Sequence, residues 1–95
     1  MAAYLHANID VTDLVTYEEY RRQVPAMIAA HGGRYLVRGG AVRALEGEPP
    51  SARQVILEFP SMDALMAFYG SPGYAPMKAL RQRASTGSLV AIEGV

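Results

Sequence analysis

From Ala3 to Ile9 the chain alternates, with Ala3, Leu5, Ala7 and Ile9 on one side and Tyr4, His6 and Asn8 on the other. A period of two marks a strand with one buried face. The period then changes. Leu14, Tyr17, Tyr20, Val24, Met27, Ile28 and His31 recur at helical spacing, which predicts one amphipathic helix over residues 14–31. Asp10-Val11-Thr12-Asp13 is the polar connection before it, and Thr12 or Asp13 can start the helix; Thr16 and Glu19 have capping-box spacing and offer a later start. Pro25 lies inside the helix. It removes the hydrogen bond to the carbonyl of Arg21 and crowds that turn, so a kink is expected between Arg21 and Pro25. Gly32-Gly33 ends the helix, since glycine tolerates the left-handed backbone of a C-cap.

Residues 34–38 read as a second strand. Gly39-Gly40 is open to two readings, a tight hairpin turn or a bulge inside one long strand that runs to about Glu46. The bulge is preferred, because Glu46-Gly47-Glu48-Pro49-Pro50-Ser51-Ala52 is the stronger turn signal. Val55 to Phe59 is a third strand, stopped by Pro60. Ser61 caps a second helix whose apolar face is Met62, Leu65, Met66 and Tyr69, with Asp63 at its positive end. Ser71-Pro72-Gly73-Tyr74 is a turn, and Pro76 opens a short third helix carrying Met77, Leu80 and Ala84. Thr86-Gly87-Ser88 breaks that helix, and Leu89 to Glu93 is the last strand. The order β-α-β-β-α-(α)-β is the split βαβ arrangement of ferredoxin-like α+β domains.

Alternation also sorts the strands into faces. Ala3, Leu5, Ala7, Ile9, Tyr35, Val37, Val55, Leu57, Phe59, Val90 and Ile92 form a nearly pure apolar face, expected beneath the helices. Tyr4, His6, Asn8, Arg34, Leu36, Arg38, Gln54, Ile56, Glu58, Leu89, Ala91 and Glu93 form a mixed face. That face either meets water, as antiparallel sheets allow, or packs on the same face of a second copy.

Composition narrows the options. Ninety-five residues make a single domain over 1–95, and 51% of them are apolar or aromatic. Chains this short bury only roughly 60–65% of their unfolded surface, so surplus apolar surface points to an oligomer interface. Nine basic residues balance nine acidic ones, without the basic surplus of a nucleic-acid binder; Lys78, Arg81 and Arg83 read as a solvated helix face. The chain has no cysteine, which excludes disulfides and thiolate metal sites and fits a reducing compartment. The N-terminus lacks a positive n-region, and the longest apolar run, Val24 to Ala30, is far short of a membrane span. A cytoplasmic location is expected, with no membrane and no nucleic-acid partner.

Four stretches carry a resemblance: Tyr20 with Pro25, His31 to Gly40, Leu57-Glu58-Phe59-Pro60-Ser61, and Tyr69-Gly70-Ser71-Pro72-Gly73-Tyr74. With Val90 to Gly94, they make a chain that resembles, from Ala3 to Gly94, the family catalogued as domain of unknown function 1330 in the dimeric α+β barrel superfamily. The resemblance implies a ferredoxin-like subunit that forms a homodimer through its sheet face. Superfamily relatives include cofactor-free monooxygenases, lactone isomerases and haem enzymes. No proximal-histidine pattern supports haem here, and no cofactor is expected.

The candidate chemistry sits on the mixed face. Arg38 and Glu58 are expected to line a pocket for a small organic molecule, anionic ones included, or else to pair with each other across neighbouring strands. Apart from that face, Tyr20, Tyr69 and Tyr74 are candidates for the rim of a pocket between helices and sheet, where a phenol both donates and accepts; as core residues they would send only their hydroxyls to water. A rival reading is a cofactor-free enzyme with His6 or Glu58 as base, and a third is an interaction module without ligand. His31 is expected to interact with the C-terminus of its helix. No metal site is expected, since two histidines without a close carboxylate pattern make none, and neither a nucleophile elbow nor a phosphate loop occurs.

Overall fold

The computed structural model describes all residues from Met1 to Val95. The elements follow the order β1 (Ala3–Val11), α1 (Leu14–Ala30), β2 (Arg34–Arg38), β3 (Arg53–Phe59), α2 (Met62–Tyr69), α3 (Ala75–Ala84) and β4 (Ser85–Glu93). The four strands form one antiparallel sheet in the order β2-β3-β1-β4. All three helices lie on one face, and the Cα extents of 36 × 35 × 16 Å describe a slab two layers thick. Its other sheet face is bare.

The core is what the alternation of β1 requires. Ala3, Leu5, Ala7 and Ile9 are buried beneath Tyr17, Val24 and Ile28 of α1, with Leu57 and Phe59 beside them on β3. Leu65 and Phe68 of α2, with Tyr74 and Ala84 at the two ends of α3, complete it. Asp13 is the N-cap of α1, accepting from the Thr16 amide at 3.2 Å and the Thr16 hydroxyl at 2.7 Å. Those bonds to Thr16 hold the Asp13 carboxyl below its usual pKa. Leu14, expected on the buried stripe, is exposed because it precedes the stretch of α1 that covers the sheet. At the other end the His31 Nδ1–H donates to the Met27 carbonyl at 3.0 Å, the helix-terminal interaction expected of it. Gly33 then enters β2 where a side chain would not fit: a Cβ there would stand 2.6 Å from the Phe59 ring and 2.8 Å from Ile28.

Three expectations are corrected. First, no strand runs past Gly39-Gly40. β2 ends at Arg38, and residues 40–50 are wholly exposed and without regular structure. A bulge does exist, but it lies earlier: the register passes from Tyr35↔Leu57 to Val37↔Ile56, leaving Leu36 as the extra residue. Second, Thr86-Gly87-Ser88 is no break between α3 and the last strand. β4 begins at Ser85, and Gly87 at φ 147 sits opposite Ile9, where a Cβ would stand 1.8 Å from the Asn8 carbonyl oxygen. The glycine permits a close strand approach. Third, the faces of β4 are exchanged. Leu89 pairs with Ala7 and Ala91 with Leu5, so these two share the helix-covered face, while Val90 and Ile92 join His6 and Tyr4 on the open one. Four consecutive apolar residues, Leu89 to Ile92, give alternation nothing with which to choose a side.

Candidate functional site

Between the sheet, α1 and α3 lies a cavity of about 40 Å³. Its floor is apolar, from Leu5, Ala7 and Leu57. Its walls combine two residue types: Tyr17, Tyr20, Tyr35 and Tyr74, and the guanidinium-bearing Arg21, Arg38, Arg53 and Arg81. No carboxylate and no imidazole line it.

Each arginine is brought there by a local feature. Arg53 precedes Val55 by two residues on β3, so it shares the inward face of Val55, Leu57 and Phe59. Arg81 falls four residues after Met77 and three before Ala84, on the inner stripe of α3, and is only 8% exposed. It is not the solvated residue expected of its charge. Arg38 is turned inward by the bulge at Leu36, which shifts the parity of β2 and sets Arg38 opposite Val55. There its guanidinium lies 4.5 Å from the Tyr35 ring centroid, and its Nη2 donates to the Arg21 carbonyl at 3.3 Å. That carbonyl is the one Pro25 leaves without its helical donor. α1 continues through the proline to Ala30, and Arg38 supplies a replacement hydrogen bond.

The phenols are coupled to the cations. The Tyr20 and Tyr74 hydroxyls are 2.7 Å apart, and burial, then Tyr74, pushes the Tyr20 pKa far above the ordinary phenol value. Burial also raises Tyr17, against the opposing charges of Arg53, Arg21 and Arg81, and raises Tyr35 against Arg38. Burial works against the Arg81 cation, yet Tyr74, then Tyr20 and Tyr69, outweigh it and hold the pKa above normal. The Nε atoms of Arg53 and Arg81 are both buried with no hydrogen-bond partner. Arg53 packs against the Cα of Gly39, where a Cβ would come within 2.7 Å of its guanidinium. With three phenols held neutral and the guanidinium groups charged, the cavity offers donors and positive charge. It holds no group that exchanges protons near neutrality.

The open face is organised differently. Arg34 and Glu58 form an ion pair, with both Nε and Nη2 at 2.8 Å from Oε1. His6 Nε2–H donates to Gln54 Oε1 at 2.8 Å, Gln54 Nε2 donates to Asn8 Oδ1 at 2.6 Å, and Asn8 Nδ2 reaches Ser88 Oγ at 3.4 Å. This polar ladder ties β3, β1 and β4 together. Beside it Leu36, Val90 and Ile92 are exposed.

The residues singled out from the sequence are thus divided. Arg38, Tyr20 and Tyr74 meet at the cavity. Tyr69 flanks it, its ring 5.9 Å from Tyr74 and capped by the Lys78 ammonium at 4.0 Å. Glu58 and His6 lie across the sheet, so the expected sharing of one face by Arg38 and Glu58 is corrected, as is their pairing: Glu58 takes Arg34 instead. Sequence reasoning missed Arg21, Arg53, Arg81, Tyr17 and Tyr35 as cavity residues. Strand parity from Val55 and helical spacing from Met77 were the signals for Arg53 and Arg81. No cluster of three or more His, Asp or Glu side chains is placed to hold a metal ion.

Residues 2–95 match the family described as Domain of unknown function (DUF1330). No curated protein matches the chain. Among solved structures it is similar to a protein of unknown function from Rhodopseudomonas palustris, at 18% identity and TM-score 0.77, over 99% of this chain and 82% of that one. SnoaB, a cofactor-independent oxygenase from Streptomyces nogalater, is 16% identical with TM-score 0.64, over 99% and 93% of the two chains. HapK from Hahella chejuensis is 16% identical with TM-score 0.61, over 100% and 93%. At such identities the likeness shows the fold, that of the ferredoxin-like dimeric α+β barrels. No helix is long and apolar enough to cross a membrane.

Proposed function

This chain belongs to the DUF1330 family, and from that premise we propose that it is a cytoplasmic homodimer which binds a small organic molecule in the cavity between its helices and its sheet. The observation that carries the reading is the cavity itself: recessed between helices and sheet, apolar at its floor, and walled by tyrosines and arginines with no acidic residue among them. Binding sites are commonly apolar concavities with a few convergent polar groups. Arg38, Tyr20 and Tyr74 are the ligand-facing residues anticipated from the sequence, and Arg53 and Arg81 join them. Dimerisation uses the open sheet face, where Leu36, Val90 and Ile92 are exposed beside a satisfied polar ladder.

The rival reading, a cofactor-free enzyme, draws on the fold shared with SnoaB. It has less support in the side chains. His6 is engaged by Gln54 and Glu58 by Arg34, and neither lines the cavity. An enzyme built on this cavity would have to act on a substrate acidic enough to ionise without a protein base, the arginines and phenols holding the resulting oxyanion. Native mass spectrometry on gently purified protein tests the binding reading. A dimer that retains a small organic mass, lost in Tyr20→Phe/Arg38→Ala protein, is the expected result. A monomer at low micromolar concentration overturns the assembly, and a wild-type protein that retains no ligand from a metabolite mixture overturns the pocket.

A further inference from the structure

Buried arginines ordinarily have a carboxylate partner, and an uncompensated buried charge costs several kcal/mol. Of the arginines at the cavity, only Arg21 has one, Glu18 at 3.1 Å. Arg38 is occupied by the Arg21 carbonyl and the Tyr35 ring. Arg53, whose Nη2 reaches the Arg38 carbonyl at 3.5 Å, and Arg81 remain without an acid, one from β3 and one from α3, on different walls of the same space. Each keeps a buried Nε–H that bonds to nothing. Tyr17 stands near enough to both that their charges act on its phenol. The chain as a whole is neutral, so this is a local excess of positive charge, and Arg81, 8% exposed, is the part of it that solvent screens least.

We propose that Arg53 and Arg81 form the anion-holding end of the cavity, and that its ligand is a small monocarboxylic acid with a flat apolar body lying against Tyr17, Tyr20 and Tyr35. This rests on the reading that the helix-side cavity binds a small molecule, and it names the class of that molecule. Two cations without acids, one on each wall, favour a single anionic group between them, and a planar carboxylate suits the fork of a guanidinium. Size sets the other limit. The cavity, about 40 Å³ and partly open to solvent, takes the charged end of a compact acid while the far edge of its body reaches the mouth; a nucleotide or a long acyl chain exceeds it. The aromatic walls favour a ring or a conjugated chain over a polyol.

Calorimetric and ligand-observed NMR titrations of the intact protein with three probes test the proposal: benzoate, its uncharged counterpart benzyl alcohol, and inorganic phosphate. Benzoate should bind at least tenfold more tightly than benzyl alcohol, and phosphate should not compete with it. Arg53→Gln and Arg81→Gln should each weaken benzoate at least tenfold while leaving benzyl alcohol within twofold, and Arg53→Lys should restore part of the loss. If Arg81→Gln does not fold, as judged by far-UV circular dichroism, the Arg53 pair of variants decides alone. Equal binding of benzoate and benzyl alcohol would keep the cavity and overturn the carboxylate. Phosphate displacing benzoate would make this a bare anion site and also overturn it. Binding of neither organic probe would remove the cavity reading and this proposal with it.

Discussion

The two faces of this sheet solve the same problem in opposite ways. On the covered face the chain buries apolar side chains under its own helices, yet leaves guanidinium groups without acids. On the open face it leaves Leu36, Val90 and Ile92 in water, yet satisfies its polar groups: Arg34 has Glu58, and His6, Gln54, Asn8 and Ser88 form a hydrogen-bonded row. The unmet need is electrostatic on one side and hydrophobic on the other. Cations without acids in a recessed space call for a small anion, and an apolar surface with its hydrogen bonds already made calls for a large, flat, similarly apolar partner. A second copy of the same face is such a partner.

The largest test removes the covered face. Phe59 is fully buried against Phe68, the ring centroids 5.4 Å apart, and Phe59→Ala should cost about 3–5 kcal/mol in urea unfolding; a loss below about 1 kcal/mol would mean that the helices are not held by this core. On the open face, Val90→Asp with Ile92→Asp should convert dimer to monomer in size-exclusion chromatography with light scattering, while leaving the far-UV spectrum unchanged. An unchanged elution mass would place the interface elsewhere. Pro25→Ala is smaller and more pointed. It returns an N–H to the Arg21 carbonyl, in competition with Arg38, and should stabilise the protein by less than the ~3 kcal/mol of an ordinary helix interior, because Arg38 already meets part of that need. The full value would show that the Arg38 bond is worth nothing. Arg34→Ala should be the mildest, at ~1 kcal/mol or less by thermal melting, since Arg34 is 70% exposed.

Alkaline pH separates the faces without mutation. Tyr17, Tyr20 and Tyr35 have raised folded pKa values. Their contribution is therefore complete below the unfolded value of 10.0 and lost as pH climbs beyond it towards the folded values. Absorbance at 295 nm should show these phenols ionising cooperatively with the loss of near-UV dichroism. Gradual ionisation of every tyrosine in a still-folded protein would mean that the cavity is wet.

Much of this architecture was legible in the residues, because Ala3 to Ile9 has a single possible inward side, and Ser61, Gly70 and Pro76 punctuate the helices by their own backbone chemistry. The cavity was less so. Arg81 looks like a surface residue by charge and like a core residue by spacing, and spacing prevailed because tyrosines surround it. The faces of Leu89 to Ile92 were undetermined by a uniformly apolar stretch; only the pairing of Ala7 with Leu89 settles them. Arg38 was misplaced for a third reason. The extra residue at Leu36 has no sequence signature, whereas the diglycine three positions later has a strong one. Gly39 in fact ends the strand, donating its N–H to the Gln54 carbonyl at 2.8 Å.

That extra residue makes the inside and outside of β2 a matter of odd and even counting. A strand of the same length that paired every residue from Tyr35 to Arg38 regularly would carry the guanidinium through the sheet without changing a single amino-acid type near the cavity, whereas a strand lacking Leu36 would keep it opposite Val55. Among related chains, an arginine aligned with Arg38 by eye therefore belongs to the opposite wall wherever the strand keeps this length and loses the bulge. Columns of such an alignment would then mix cavity charges with interface charges. Comparing these proteins residue by residue therefore has to begin with where each strand skips a residue in its pairing, before asking which side chain stands there.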